Sequence, residues 1–234
     1  MFVPVWDDNP LRSIQFQFVT LVLIAINVAI FLLEASGMSQ QAIASFAIVP
    51  SELFQVRVLG GPAPISGDAI AVPERYTLLT YMFFHGDIFH LAGNMVFLWV
   101  FGDNVEDALG HFKYIVFYLV CGIVAGLTHA WLQPGSNIPL IGASGGVAGS
   151  VAAYIMLHPN VRVWELAFRV IPLRVPAALV LGLWIVTQCA MLLLPQTGAV
   201  AWWAHIGGIA AGAILVVLMR RPGVPLFDNG TAPS

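Results

Sequence analysis

Apolar runs long enough to cross a lipid bilayer recur along this chain, and no other feature restricts its fold so strongly. A helical residue rises about 1.5 Å, so about 20 mostly apolar residues are needed to span the hydrocarbon core. Scanning for such runs predicts helices near 16–34, 87–104, 113–132, 143–157, 176–194 and 201–219. The fourth is the shortest and the least apolar. It opens with GASGGVAGS, which suits contact with other helices better than contact with lipid. Hydrophobic residues make up 59% of the sequence and charged ones 9%, where a soluble domain carries about 25% charged residues. That balance argues against a water-soluble fold. The expected fold class is an all-α membrane protein: a bundle of six transmembrane helices with a long, partly membrane-associated first loop.

Three stretches follow: an N-terminal segment 1–15, a membrane domain 16–221 and a tail 222–234. The first, MFVPVWDDNPLRSIQ, lacks the basic start and apolar core of a cleavable signal peptide, so no processing is expected there. The tail, PGVPLFDNGTAPS, is rich in Pro, Gly and polar residues and is expected to be disordered. With the N-terminus inside, the inner segments hold Arg12, Lys113, Arg162, Arg169, Arg174, Arg220 and Arg221, and the outer ones only Arg57 and Arg75. Basic residues accumulate on the cytoplasmic side of short loops, so both termini are expected in the cytoplasm. The first loop, from Ala35 to Gly86, contains apolar pieces, FAIVPSELF and YTLLTYMFF, that are expected to lie partly in the membrane interface. A net charge of -3 and the lack of a basic run point away from nucleic acid, leaving lipids and membrane-embedded chains as partners. Cys121 and Cys189 fall in apolar stretches and read as packing residues. No cofactor or metal is expected.

In this topology the second, fourth and sixth helices begin at the same face. Their first turns carry His85, His90 and Asn94, then Ser144, then His205. His90 and Asn94 are four residues apart and share a helix face. Gly142, Gly145, Gly146 and Gly149 surround Ser144, and Gly208 and Gly212 follow His205, so two helix backbones can approach closely. A serine hydroxyl is a weak nucleophile until a base removes its proton, and neutral histidine is the usual base near pH 7. The attack creates an oxyanion, for which the backbone N–H groups at Ser144, the amide of Asn94 and the imidazole of His90 are candidate donors. Asp and Glu are absent from the fourth and sixth helices, so a dyad is expected and not a triad. Singly, each residue has a plainer reading: glycine-rich helix starts are packing seams, and polar residues in membrane helices bond across helices. Their coincidence at one depth favours a site. His111, His129 and His158 are assigned no role.

These residues resemble the bacterial branch of the rhomboid family of intramembrane serine proteases. The resemblance rests on FHLAGNMVFLWVFGDNVEDALG, IGASGGVAGSVAAY and AHIGGIAAG, with weaker echoes in DDNP and FAIVPSELF. It implies hydrolysis of peptide bonds in or next to the transmembrane segments of other proteins, in a multi-pass protein of the bacterial inner membrane. It also implies Ser144 as nucleophile, His205 as base, and His90 and Asn94 as oxyanion residues. The family often carries an aromatic residue four positions after the serine, where this chain has Ala148, and Trp-Arg in the first loop, where it has Glu74-Arg75. No His-Glu-x-x-His is present for a metalloprotease. Two alternatives stay open: a catalytically inactive rhomboid-like binding or quality-control protein, and a transporter using intramembrane histidines.

Overall fold

The computed structural model describes residues 2–59, 69–70, 72–167, 171–194 and 200–228. Helices dominate it. Strand β1 (Phe2–Asp7) leads into α1 (Phe18–Ala35), and the short helices α2 (Gln40–Ala44), α3 (Pro50–Leu59) and α4 (Glu74–Thr80) follow, the last running into a single 3-10 turn, Tyr81–Phe83. Then come α5 (Ile88–Leu109), α6 (His111–Leu132), α7 (Ser144–Leu157), strands β2 (Arg162–Ala167) and β3 (Ile171–Pro176), α8 (Ala177–Met191) and α9 (Trp202–Met219). Three helices, α1, α6 and α9, are long and apolar enough to cross a membrane, and α7 and α8 are shorter apolar helices. These helices make the chain an integral membrane protein.

An all-α chain was expected, but β1, β2 and β3 form a three-stranded antiparallel sheet. Phe2 pairs with Ala167 and Asp7 with Val163, while Arg162 pairs with Pro176. Proline is tolerated here because Pro4 lies beside an irregularity in an edge strand and Pro176 ends one. The sheet is anchored to the bundle through Asp7, which accepts from the Tyr154 hydroxyl (2.5 Å) and the Asn104 amide (3.2 Å). Burial pushes the Asp7 carboxyl up to about 7, and does the same to Glu165 on β2. The tail predicted to be disordered is packed as far as Asp228: Phe227 N–H donates to the Met156 carbonyl, Asp228 N–H donates to the Leu157 carbonyl, and Arg12 pairs with Asp228 at 3.2 Å. Residues 229–234 lie outside the described part, as does Arg169.

Helix α5 runs five residues past its predicted end at 104, to Leu109, and the reason is visible in its carboxylates. Glu106 accepts from Val19 N–H (2.9 Å), Thr20 N–H (2.8 Å) and the Thr20 hydroxyl (2.7 Å). These are first-turn groups of α1, whose N-cap residue Gln17 provides no side-chain cap, so Glu106 serves as a cap from another helix and meets the positive end of the helix dipole. Asp107 likewise accepts from the N–H groups of Arg12, Ser13 and Ile14. Both carboxylates are therefore hydrogen-bonded inside the protein, which is the condition for burying them.

Helix α7 sits at the centre, with eleven of its fourteen residues buried. It can do so because its neighbours touch its backbone. A Cβ added at Gly208 would strike the Gly145 carbonyl, and one at Gly212 would strike the Gly149 carbonyl. The two pairs share one offset, so α7 and α9 run parallel, with Gly207 on α9 level with Ser144. Against α6, a Cβ at Gly146 would meet the Tyr118 ring, and one at Gly145 the Cβ of Ala125.

Candidate active site

The segment entering α7 is held by the loop that precedes α5. Ile48 and Leu140 form an antiparallel bridge (3.1 and 2.8 Å), and Gly142 N–H donates to the Tyr81 carbonyl (2.9 Å). The Tyr81 hydroxyl donates in turn to the Gly122 carbonyl on α6 (2.7 Å). The apolar pieces of the first loop thus bury Ala47, Ile48, Val49, Tyr81, Met82 and Phe84 against the bundle. Gly142 has φ +127°, a conformation that L side chains rarely adopt. It also leaves room for a neighbour: a Cβ there would stand 2.7 Å from His90 Nε2 and 3.9 Å from Asn94 Nδ2. His90 and Asn94 therefore flank the Gly142–Ala143–Ser144 turn.

Asp87 starts α5 by accepting from Phe89 N–H (2.8 Å) and His90 N–H (2.9 Å), which fixes where His90 and, one turn on, Asn94 emerge. Asn94 is buried, and its Nδ2 donates to His85 Nε2 at 3.1 Å. The same nitrogen accepts a longer bond from Ala143 N–H (3.5 Å). His85 thus ties the amide of Asn94 to the turn before Ser144, with the NH₂ group on the turn's side. Ser144 opens α7, and the first intrahelical bond runs from Val147 N–H to the Ala143 carbonyl (3.1 Å). The N–H groups of Ser144, Gly145 and Gly146 consequently have no intrahelical acceptor.

His205 stands in the first turn of α9, and the α7–α9 register brings it level with Gly142. No hydrogen bond joins Ser144 to His205 among the described residues. The imidazole is held from its other side. Nδ1 lies 2.7 Å from Gln188 Oε1 on α8, and the Trp202 and Trp184 rings sit 5.9 and 6.1 Å from it, the former edge-on at 88°. His90 and His129 are close enough to act electrostatically on His205. The methyl group of Ala148 abuts Gly208. Arg75 lies over the Tyr76 ring at 4.9 Å.

A Rhomboid domain model matches residues 72–222, from the approach to α4 to the end of α9. The chain belongs to the rhomboid family. Relatives include Rhomboid-like protein 11, chloroplastic, of Arabidopsis thaliana, 28% identical over 161 residues, covering 64% of this chain and 54% of the relative. Rhomboid protein 1, mitochondrial, of Saccharomyces cerevisiae is 26% identical over 147 residues, covering 61% and 41%. Rhomboid protease GluP of Bacillus subtilis is 27% identical over 160 residues, covering 68% and 29%. This rhomboid chain spans about half or less of the length of these relatives. All five of Ser144, His205, His90, Asn94 and Gln188 fall inside the matched region. The sequence alone singled out the first four. It passed over Gln188, Trp184 and Trp202 and gave His85 no task; an amide inside an otherwise apolar helix was the available signal for Gln188.

Proposed function

We propose that this rhomboid chain is an intramembrane serine endopeptidase that cuts peptide bonds in or near the transmembrane segments of other proteins. The observation that carries the reading is the meeting of three helix starts: the turn before Ser144 packs on His90 and Asn94, and the α7–α9 glycine contacts set His205 at its level. In the proposed reaction Ser144 Oγ attacks the scissile carbonyl carbon while His205 Nε2 takes its proton. The oxyanion is received by backbone N–H groups at the start of α7, by Asn94 Nδ2 and by His90. His205 then gives the proton to the leaving amine, and a water molecule, deprotonated by the same nitrogen, releases the acyl group from Ser144.

The membrane domain is proposed to span the bilayer six times, with α5, α7 and α8 joining α1, α6 and α9, and with both termini in the cytoplasm of a bacterial cell. Two observations support a common side for the termini: the Arg12–Asp228 ion pair joins the two end segments, and the short inner segments hold most of the basic residues. Membrane-impermeant labelling of single cysteines placed at residues 10 and 222 in intact cells should fail at both; labelling of either from outside overturns the orientation.

Substrates are transmembrane proteins, and lipid is the surrounding solvent. The decisive experiment incubates the purified protein in detergent with a transmembrane segment bearing small residues, comparing wild type with Ser144→Ala. Cleavage by the wild type alone is expected. Equal behaviour of the two folded proteins would leave a binding role or a histidine-based transport role in its place.

A further inference from the structure

Helix α8 is the most loosely held helix around the site. Leu179, Leu183 and Val186 point outward, and its buried residues are Ala177, Leu181 and Gln188. Gln188 retains only 4% of its exposure, although a glutamine in an apolar helix loses hydration that must be replaced. Both ends of its amide are replaced: Nε2 donates to the Trp184 carbonyl (3.2 Å), and Oε1 lies 2.7 Å from His205 Nδ1.

The direction of these two bonds is fixed by elimination. A backbone carbonyl can only accept, so the NH₂ end of the amide must face Trp184 and the oxygen must face the ring. That oxygen also can only accept, so the proton of the second bond belongs to Nδ1. A neutral imidazole carries one N–H, and Nε2 is left as a bare acceptor. This is the form that a base taking a proton through Nε2 requires.

Resting on the proposed Ser144–His205 pair, we infer that Gln188 is a positioning residue for the base: it holds His205 in the Nδ1–H tautomer and keeps Nε2 free to take the serine proton. It performs without charge the service that a carboxylate performs for the histidine of a catalytic triad. At this depth an amide avoids the cost of desolvating an anion. The geometry also makes catalysis depend on where α8 sits, because the acceptor belongs to that helix and the base to its neighbour.

The test compares wild type, Gln188→Met and Gln188→Glu, each checked for folding by its melting temperature. Nitrogen NMR of ¹⁵N-histidine-labelled protein, with His205 assigned through His205→Ala, reads the tautomer, and steady-state cleavage of a transmembrane substrate reads kcat and KM separately. Wild type should show Nδ1 protonated and Nε2 bare. Gln188→Met, which keeps length but offers no acceptor, should mix the tautomers and lower kcat roughly 10–100-fold, the loss typical when a partner orienting a functional histidine is removed, with KM little changed.

Gln188→Glu should recover activity over the Met variant and move the acid limb of the pH profile to higher pH, since the introduced carboxylate favours the imidazolium. The ionisable groups facing His205 from the other packed helices, His90 on α5 and His129 on α6, are the same in all three proteins. A wild-type ring protonated at Nε2, a Gln188→Met protein with wild-type kcat, or a Gln188→Glu protein no better than Gln188→Met would each overturn the inference. A failure of the protease reading looks different. The wild type would then be as inactive as Ser144→Ala, while its ring tautomer would still report on Gln188.

Discussion

A fluorophosphonate added to the folded protein should form its adduct on Ser144, and the adduct should disappear in His205→Ala. An unassisted serine hydroxyl stays protonated and inert, so reaction with such a reagent reports a base within reach and not exposure alone. The structure supplies internal controls. The Ser150 hydroxyl donates to the Gly146 carbonyl (3.2 Å) and the Thr128 hydroxyl to the Val124 carbonyl (2.7 Å), so each is engaged by its own helix. Ser144, half-buried at the mouth of α7, has no such bond among the described residues. Mass spectrometry should locate the adduct on Ser144, and His129→Ala should retain most of it. Folded wild type that fails to react, or undiminished labelling without His205, would mean that the two residues do not act as a pair and that the glycine-rich start of α7 serves packing alone.

Replacing Asn94 by alanine should lower turnover by about 10²–10³, the effect of losing one oxyanion donor, with a much smaller change in KM. The donor is preorganised: Nδ2 is fixed by His85 beside the turn that precedes Ser144, so it need not reorient when negative charge appears. The same pairing makes the result specific. Because Asn94 is buried and bonded, Asn94→Ala also leaves His85 Nε2 short of a donor, and a melting curve is needed to separate lost stability from lost chemistry. Asn94→Asp keeps the shape, removes both donors and brings an acceptor to the oxyanion position, so it should be at least as impaired. Wild-type turnover in folded Asn94→Ala would make Asn94 a packing residue.

Much of this arrangement was legible in the sequence, for a physical reason. A helix that crosses a membrane must be apolar along its length and must satisfy its own backbone, so the long apolar runs of α1, α6 and α9 were readable from length and composition. Ser144, His205, His90 and Asn94 stood out because polar side chains are few in these apolar stretches. The sheet was not legible. Its strands FVPVWD, RVWELA and IPLRVP are short and broken by proline or charge, and β1 finds its partner only across some 160 positions. The packed tail was hidden likewise, since Phe227 and Asp228 dock on the end of α7 and not on anything near them in sequence. Gln188 escaped notice because one amide in an apolar helix does not declare which neighbour it faces.

The pairing of β1 with β2 has a consequence for the order in which the molecule can be completed. As a chain grows towards its C-terminus, β1 is made well before β2, so its hydrogen-bonding edge has no mate until residues 162–167 have been synthesised. Contacts of such wide sequence separation form late, after the loop between them has been ordered by closer contacts. Asp7 also waits for Tyr154. The C-terminal end of α7 therefore acquires its strand and its carboxylate only after α1, α5 and α6 have been made, and the helix that carries Ser144 is fastened into register by residues made well before it.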